Sequence, residues 1–96
     1  MQTTQTVRVV ILNDGGQWIA QCLEHDICAM AKDLDTLQSR LEVAIEAELE
    51  LCKSGGRDLN SLPQAPEHFF DLWEKRSRFD KSEMIDGVGY EMALCA

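Results

Sequence analysis

Four residues at the junction of the second and third predicted strands have side chains that could bind a metal or attack a substrate: Cys22 and Cys28 in the strands, and His25 and Asp26 in the turn that joins them. Zinc sites use characteristic spacings such as Cys-x2-Cys, which the Cys-x5-Cys spacing does not match. A strand places Cys22 and a residue three positions later on opposite faces, which argues against a Cys–His nucleophile pair. The pattern favours buried thiols beside a solvated His-Asp turn, with no metal site.

Three carboxylates at predicted strand ends, Asp14, Glu24 and Asp26, could instead suggest a metal-dependent nuclease. Such a site needs several carboxylates converging on two ions about 4 Å apart. Asp14 belongs at one end of the predicted hairpin and the other two at the opposite end, so we expect solvated turn residues. The sequence therefore predicts no catalytic residues and no cofactor.

A row of carboxylates, Glu42, Glu46 and Glu50, recurs every four residues on one face of a predicted helix. The row is either a solvated helix face, since like charges four apart cost only a few tenths of a kcal/mol, or a contact surface for a basic partner. The sequence leaves both interpretations open, and we take Glu42, Glu46 and Glu50 as candidate partner-binding residues.

Large apolar side chains cluster at Phe69, Phe70, Leu72 and Trp73. They pack in the domain core or form part of an oligomer contact. Together with Tyr90 and Met92 of the last predicted strand, the three aromatic residues form a candidate oligomer surface.

The elements that would position these residues begin with three predicted strands at 7–12, 17–23 and 27–31. Asn13-Asp14-Gly15-Gly16 is typical of a hairpin turn. A long amphipathic helix follows over 33–54, with Asp33 as its N-cap and an apolar stripe at steps of three and four. This helix must lie across one face of the sheet, and Val10 and Leu12 indicate that part of the other face is covered too.

After a connection with two prolines, Pro66 predicts a short second helix over about 66–77. Alternating residues over about 88–95 predict a last strand, which we place at the sheet edge, where it could pair with a second chain. The order βββ-α-α-β predicts an α+β fold with an antiparallel sheet of three to four strands. We expect a single domain over 1–96, with 1–6 frayed and a core at 7–54.

The net charge of −8 excludes some partners. Such a chain repels phosphate backbones, so we expect no direct nucleic-acid binding and a basic protein as partner. The sequence has neither an export signal nor a membrane-spanning apolar run, and its four cysteines are too scattered for a disulfide framework. These features predict a cytoplasmic protein with reduced thiols.

The segment WIAQCLEHDICAMAKDLDTLQSRLEVAIEAE, with the hairpin VRVVILNDGGQW before it, resembles the HicB-like antitoxin domain over residues 7–54. Trp18–Glu24 correspond to its second strand, Ile27–Ala29 to its third and Asp33–Ala47 to its helix. The chain departs from the family where Glu24-His25-Asp26 replaces a proline turn and Lys32 a glycine. A short aromatic helix and a last strand stand where many members add a DNA-binding module.

The resemblance implies a partial ribonuclease-H-like fold without nuclease activity, often dimeric, that neutralises a small basic mRNA-cleaving toxin. This chain resembles the stand-alone branch of that family, without a DNA-binding extension. The alternative is an oligomeric adaptor or small-ligand-binding domain that has no toxin partner and uses the Phe69–Trp73 surface.

Overall fold

The computed structural model describes residues 5–57, 62–76, 80–85 and 88–95. Along the chain the elements are β1 (Gln5–Asp14), β2 (Gln17–Cys22), β3 (Cys28–Ala31), α1 (Leu34–Ser54), α2 (Glu67–Glu74), β4 (Asp80–Ile85) and β5 (Val88–Leu94). The α+β class is confirmed, as are the three-strand meander, the long helix after it and the short second helix. Of the segment expected to be frayed, residues 1–4 lie outside the described residues, whereas Gln5 and Thr6 already belong to β1.

The strands form one mixed sheet in the order β3-β2-β1-β5-β4. β1 and β2 pair antiparallel across a turn at Gly15 and Gly16, whose φ angles of +62° and +86° favour glycine. β5 runs parallel to β1 and pairs with it from Val88 to Leu94. The sheet therefore has five strands where three to four were expected, and one pair is parallel where an antiparallel sheet was expected.

The last strand is not an edge strand, which corrects that prediction. β5 lies between β1 and β4, because residues 80–85, for which the sequence predicted no strand, form β4 and pair antiparallel with β5. β3 and β4 are the outermost strands of the described sheet. Their outer backbone edges are where another strand could add.

The helices cover opposite faces of the sheet. Since side chains alternate along a strand, Val7, Val9 and Ile11 pack under α1, whereas Val10 and Leu12 pack with α2. The main core lies under α1, against its buried residues Leu37, Leu41, Ile45 and Cys52. The sequence prediction that the second sheet face is also covered is thus confirmed.

A smaller core lies between α2 and the second face of the sheet. It is built from Val10, Leu23, Ala65, Trp73, Ala93 and Cys95. The connection before α2 is attached to the turn after β2: the Ala65 amide donates to the Leu23 carbonyl at 3.0 Å, and the Asp26 amide donates to the Pro63 carbonyl at 2.7 Å. These bonds hold a helix of only eight residues, too short to be stable alone, against the sheet.

Candidate partner-binding surface

The orientation of α1 determines which of its side chains a partner could reach. Asp33 is its N-cap, accepting a hydrogen bond from the Thr36 amide at 2.7 Å. That bond lowers the pKa of Asp33, because it favours the ionised carboxylate. Leu37, Leu41 and Ile45 point into the main core, so the opposite side of the helix faces solvent.

Glu42 does not lie on the solvent-facing side, which corrects the predicted three-residue row. It is half-buried beside the sheet, and the Tyr90 hydroxyl donates to its Oε2 at 2.5 Å. The amide of Gln38 donates to the same hydroxyl at 3.1 Å. Glu42 is therefore an internal hydrogen-bond acceptor that holds α1 on β5, and it is only partly accessible to a partner.

Glu46 and Glu50 are exposed, as expected of contact residues. The helix around them carries five acids, including Asp35, Glu42 and Glu48, but only two cations, Arg40 and Lys53. Arg40 is already used on the β3 side of the helix, where its Nη1 donates to the Met30 carbonyl at 2.8 Å. The exposed carboxylates thus make one flank of α1 acidic.

An apolar stripe beside these carboxylates was missed at the level of sequence. Val43 and Leu51 are 66% and 60% exposed, and exposed Ala47 lies between them. The spacing of four residues places all three along one line of the helix surface, next to Glu46 and Glu50. We call Val43, Glu46, Ala47, Glu50 and Leu51 the outer face of α1. The four-residue spacing was the available signal, but the stronger stripe at Leu37, Leu41 and Ile45 obscured it.

The candidate oligomer surface is for the most part internal to the chain, which corrects that prediction. Tyr90 and Met92 are buried in the main core, and Trp73 is 5% exposed in the smaller core. Phe69 and Phe70 are half-buried against the smaller core. These side chains are used to cover the sheet, so little of them remains for a second chain.

The structure corrects part of the prediction of buried thiols beside a solvated His-Asp turn. His25 is buried, at 2% exposure, and Cys28 is exposed, whereas Cys22 is buried and Asp26 exposed, as expected. Cys22 is buried among apolar groups, and this burial raises its pKa to about 12, which keeps the thiol protonated and unreactive. The β2–β3 register places Cys28 on the other face of the sheet. Across the described residues, no group of three His, Cys, Asp or Glu side chains is arranged to hold a metal ion.

The carboxylates considered for a nuclease do not converge either. Asp14 is exposed beside the hairpin turn, whereas Glu24 lies past the far end of β2. There the Glu24 carboxylate accepts from the Arg8 amide at 2.8 Å and forms an ion pair with the Arg8 guanidinium. Asp26 accepts from the Gln21 side chain at 2.9 Å. Both therefore have structural partners at the end of the hairpin.

No family model, curated protein or solved structure matches this chain. The resemblance to the HicB-like domain rests on the sequence pattern alone. Within the described ranges, neither helix is long and apolar enough to cross a membrane.

Proposed function

We propose that this domain is a non-catalytic, protein-binding antitoxin of the HicB-like kind that neutralises a small basic mRNA-cleaving toxin. The observation that carries the proposal is the outer face of α1. It combines two exposed branched apolar side chains with two exposed carboxylates along about two turns of helix. We further propose that the domain acts in the cytoplasm and binds no nucleic acid itself.

The composition of this face favours a bound protein over plain solvation. Single exposed apolar residues are common on protein surfaces, but an aligned apolar stripe rimmed by charge is typical of interaction sites. On binding, Val43 and Leu51 would be removed from water, and each would contribute on the order of 1 kcal/mol from its exposed area.

The charge of the face defines the partner. Glu46 and Glu50 present two carboxylates in a molecule with a net charge of −8, so a cationic surface is attracted over a long range and oriented on contact. A toxin that binds mRNA needs such a cationic surface for phosphate groups. Occupation of that surface by α1 would block RNA access without any chemistry by the antitoxin.

The test uses the chain as bait for proteins of its native host at low salt. We expect a small basic protein that cleaves mRNA and whose cleavage stops when this chain is added in equimolar amount. The double variant Glu46→Lys/Glu50→Lys should weaken the complex at least about tenfold, since two attractions become repulsions.

The matched control is Glu67→Lys/Asp71→Lys, which makes the same charge change at two exposed positions on α2. It should bind like the parent chain. Equal weakening by both double variants would show that net charge alone matters and would contradict a specific site on α1. A captured protein whose RNA cleavage continues in the complex would contradict the antitoxin role.

A homodimer is part of the proposal, with a different surface from the one first expected. Because β5 is interior, the edges that a second copy could extend are those of β3 and β4. At β3 the Arg40 side chain already occupies the Met30 carbonyl, which favours β4. Light scattering at high micromolar concentration should show a dimer; a monomer would refute this part.

A further inference from the structure

A second site is suggested by a cavity of about 330 Å³ between the first turns of α1 and the sheet. It is lined by Ile11, Trp18, Leu34, Asp35, Leu37, Gln38, Met92 and Leu94. Six of these side chains are apolar and two are polar. Ligand sites have this composition: an apolar enclosure with a few polar groups that fix the orientation of the ligand.

The core-facing stripe of α1, on the side opposite its outer face, continues beyond the filled part of the main core. Leu37 and Leu41 are fully buried, but Leu34, on the same stripe, is 45% exposed at the mouth of the cavity. Trp18 and Leu94 belong to the sheet face under α1 and are only half-buried. Three large apolar groups of the inner surface thus border one opening, which a bound apolar group would cover.

The polar residues of the lining determine the charge of the occupant. Asp35 contributes a carboxylate, Gln38 contributes an amide, and no lysine or arginine is among the described residues that line the cavity. A cation is therefore attracted and an anion repelled. The indole ring of Trp18 adds a π face, which also attracts cations.

We propose that this cavity binds a small organic cation: an aromatic or branched apolar body that carries a protonated amine. The apolar body would fill the space between Trp18 and Leu34, and the ammonium group would lie near Asp35. An engineered cavity of about 150 Å³ holds benzene, so the larger space here accepts a ring with a short side chain. The cavity lies on the sheet side of α1, away from its outer face, so the inference does not depend on the proposed toxin partner.

The experiment is an NMR titration of the full chain with phenethylamine, phenethyl alcohol and hydrocinnamate, which share one ring and differ in charge. The readout is the indole Nε1–H signal of Trp18, and that of Trp73 is the internal control because Trp73 is buried on the opposite face of the sheet. We expect a saturable shift of the Trp18 signal with phenethylamine, at least about tenfold weaker binding of the alcohol, and the weakest binding of the anion.

Two variants locate the site and its charge selectivity. Leu34→Phe should fill the cavity and abolish the shift. Asp35→Asn should reduce the affinity for phenethylamine to that for the alcohol, whereas Glu67→Gln, which removes the same charge from the first turn of α2, should leave it unchanged. An unaltered Trp73 signal verifies that each variant is folded.

Three results would overturn the proposal. The first is the absence of a saturable Trp18 shift with phenethylamine up to about 10 mM, a concentration at which even weak sites fill. The second is equal binding of the amine, the alcohol and the anion. The third is a Trp18 signal that shifts with protein concentration alone while phenethylamine fails to bind, because a second copy of the chain would then be the occupant.

Discussion

Tyr90 is the residue that joins the polar side of α1 to the sheet. Its ring is buried in the main core, and its hydroxyl lies between Gln38 and Glu42. A buried hydroxyl without a partner costs about 1–3 kcal/mol, so the two helix residues determine whether a tyrosine is tolerated here. Because both hydrogen bonds are made to one residue of β5, they also attach α1 to that strand.

We expect Tyr90→Phe to lower the free energy of unfolding by about 1 kcal/mol, near the lower end for a bond to a charged group, since water can reach half-buried Glu42. Urea denaturation followed by circular dichroism measures this loss. Glu46→Gln, a change at an exposed carboxylate one turn later, should have no measurable effect. A Tyr90→Phe protein as stable as the parent chain would show that the short bond contributes nothing.

The same residue gives the domain an alkaline limit. Burial raises the pKa of Tyr90 above its ordinary value of 10.0, because the ionised phenolate is disfavoured in the core, and the hydrogen bond that Tyr90 donates to Glu42 is a second, smaller cause. The unfolded chain loses this proton near pH 10 and the folded chain does not, so the stability contributed by the group is complete below pH 10 and is lost as the pH rises. Between about pH 9 and 11 the parent chain should lose more stability than Tyr90→Phe.

At the level of elements, periodicity predicted what is locally encoded. The alternation of Val7, Val9 and Ile11 and the helical stripe of α1 each follow from a single repeating pattern. Their burial in one core is as expected.

β4 was missed because its sequence, DKSEMI, is mostly polar and has no apolar alternation. Its strand conformation comes from pairing with β5, and such tertiary pairing overrides a weak local preference. The interior position of β5 did have a partial signal in the sequence: on the face opposite Tyr90, Gly89 and Ala93 are small residues on either side of Glu91, and both are buried. A strand that is small or apolar on both faces is typical of the inside of a sheet.

The contact that displaces Glu42 from the predicted acidic row had no local signal. Tyr90 is 48 residues away in sequence, and the bond exists only because β5 lies under α1. Helical spacing therefore placed the three carboxylates on one side of α1, but it could not determine which of them face outward.

α2 depends on Trp73 for its place on the sheet. We expect Trp73→Ala to cost about 3 kcal/mol, because it removes the largest side chain of the smaller core and leaves a cavity. Hydrogen exchange should show that α2 and the 62–66 connection lose protection while α1 keeps it, since α1 packs on the other face of the sheet. Glu74→Ala, at the exposed neighbouring position, should leave exchange unchanged. Unaltered protection of α2 in Trp73→Ala would contradict this account.

At the scale of the whole molecule, the net negative charge has two opposing effects: it destabilises the isolated domain and strengthens the binding of a basic partner. A net charge of −8 in a domain with a radius of gyration of 13.0 Å produces self-repulsion that opposes compactness. The same charge attracts a basic partner. Dissolved salt screens both effects, because its ions shorten the range over which charges interact.

We therefore expect salt to stabilise the isolated domain and to weaken its complex with a basic partner. Raising sodium chloride from about 0.02 M to about 0.3 M shortens the screening length severalfold, so the urea midpoint of the domain should rise while the affinity for the partner falls. Both Glu46→Lys/Glu50→Lys and Glu67→Lys/Asp71→Lys reduce the net charge to −4, so both should show a smaller salt effect on stability. Only the first should lose the partner. If the α2 variant lost the partner equally, the attraction would belong to the molecule as a whole and not to the outer face of α1.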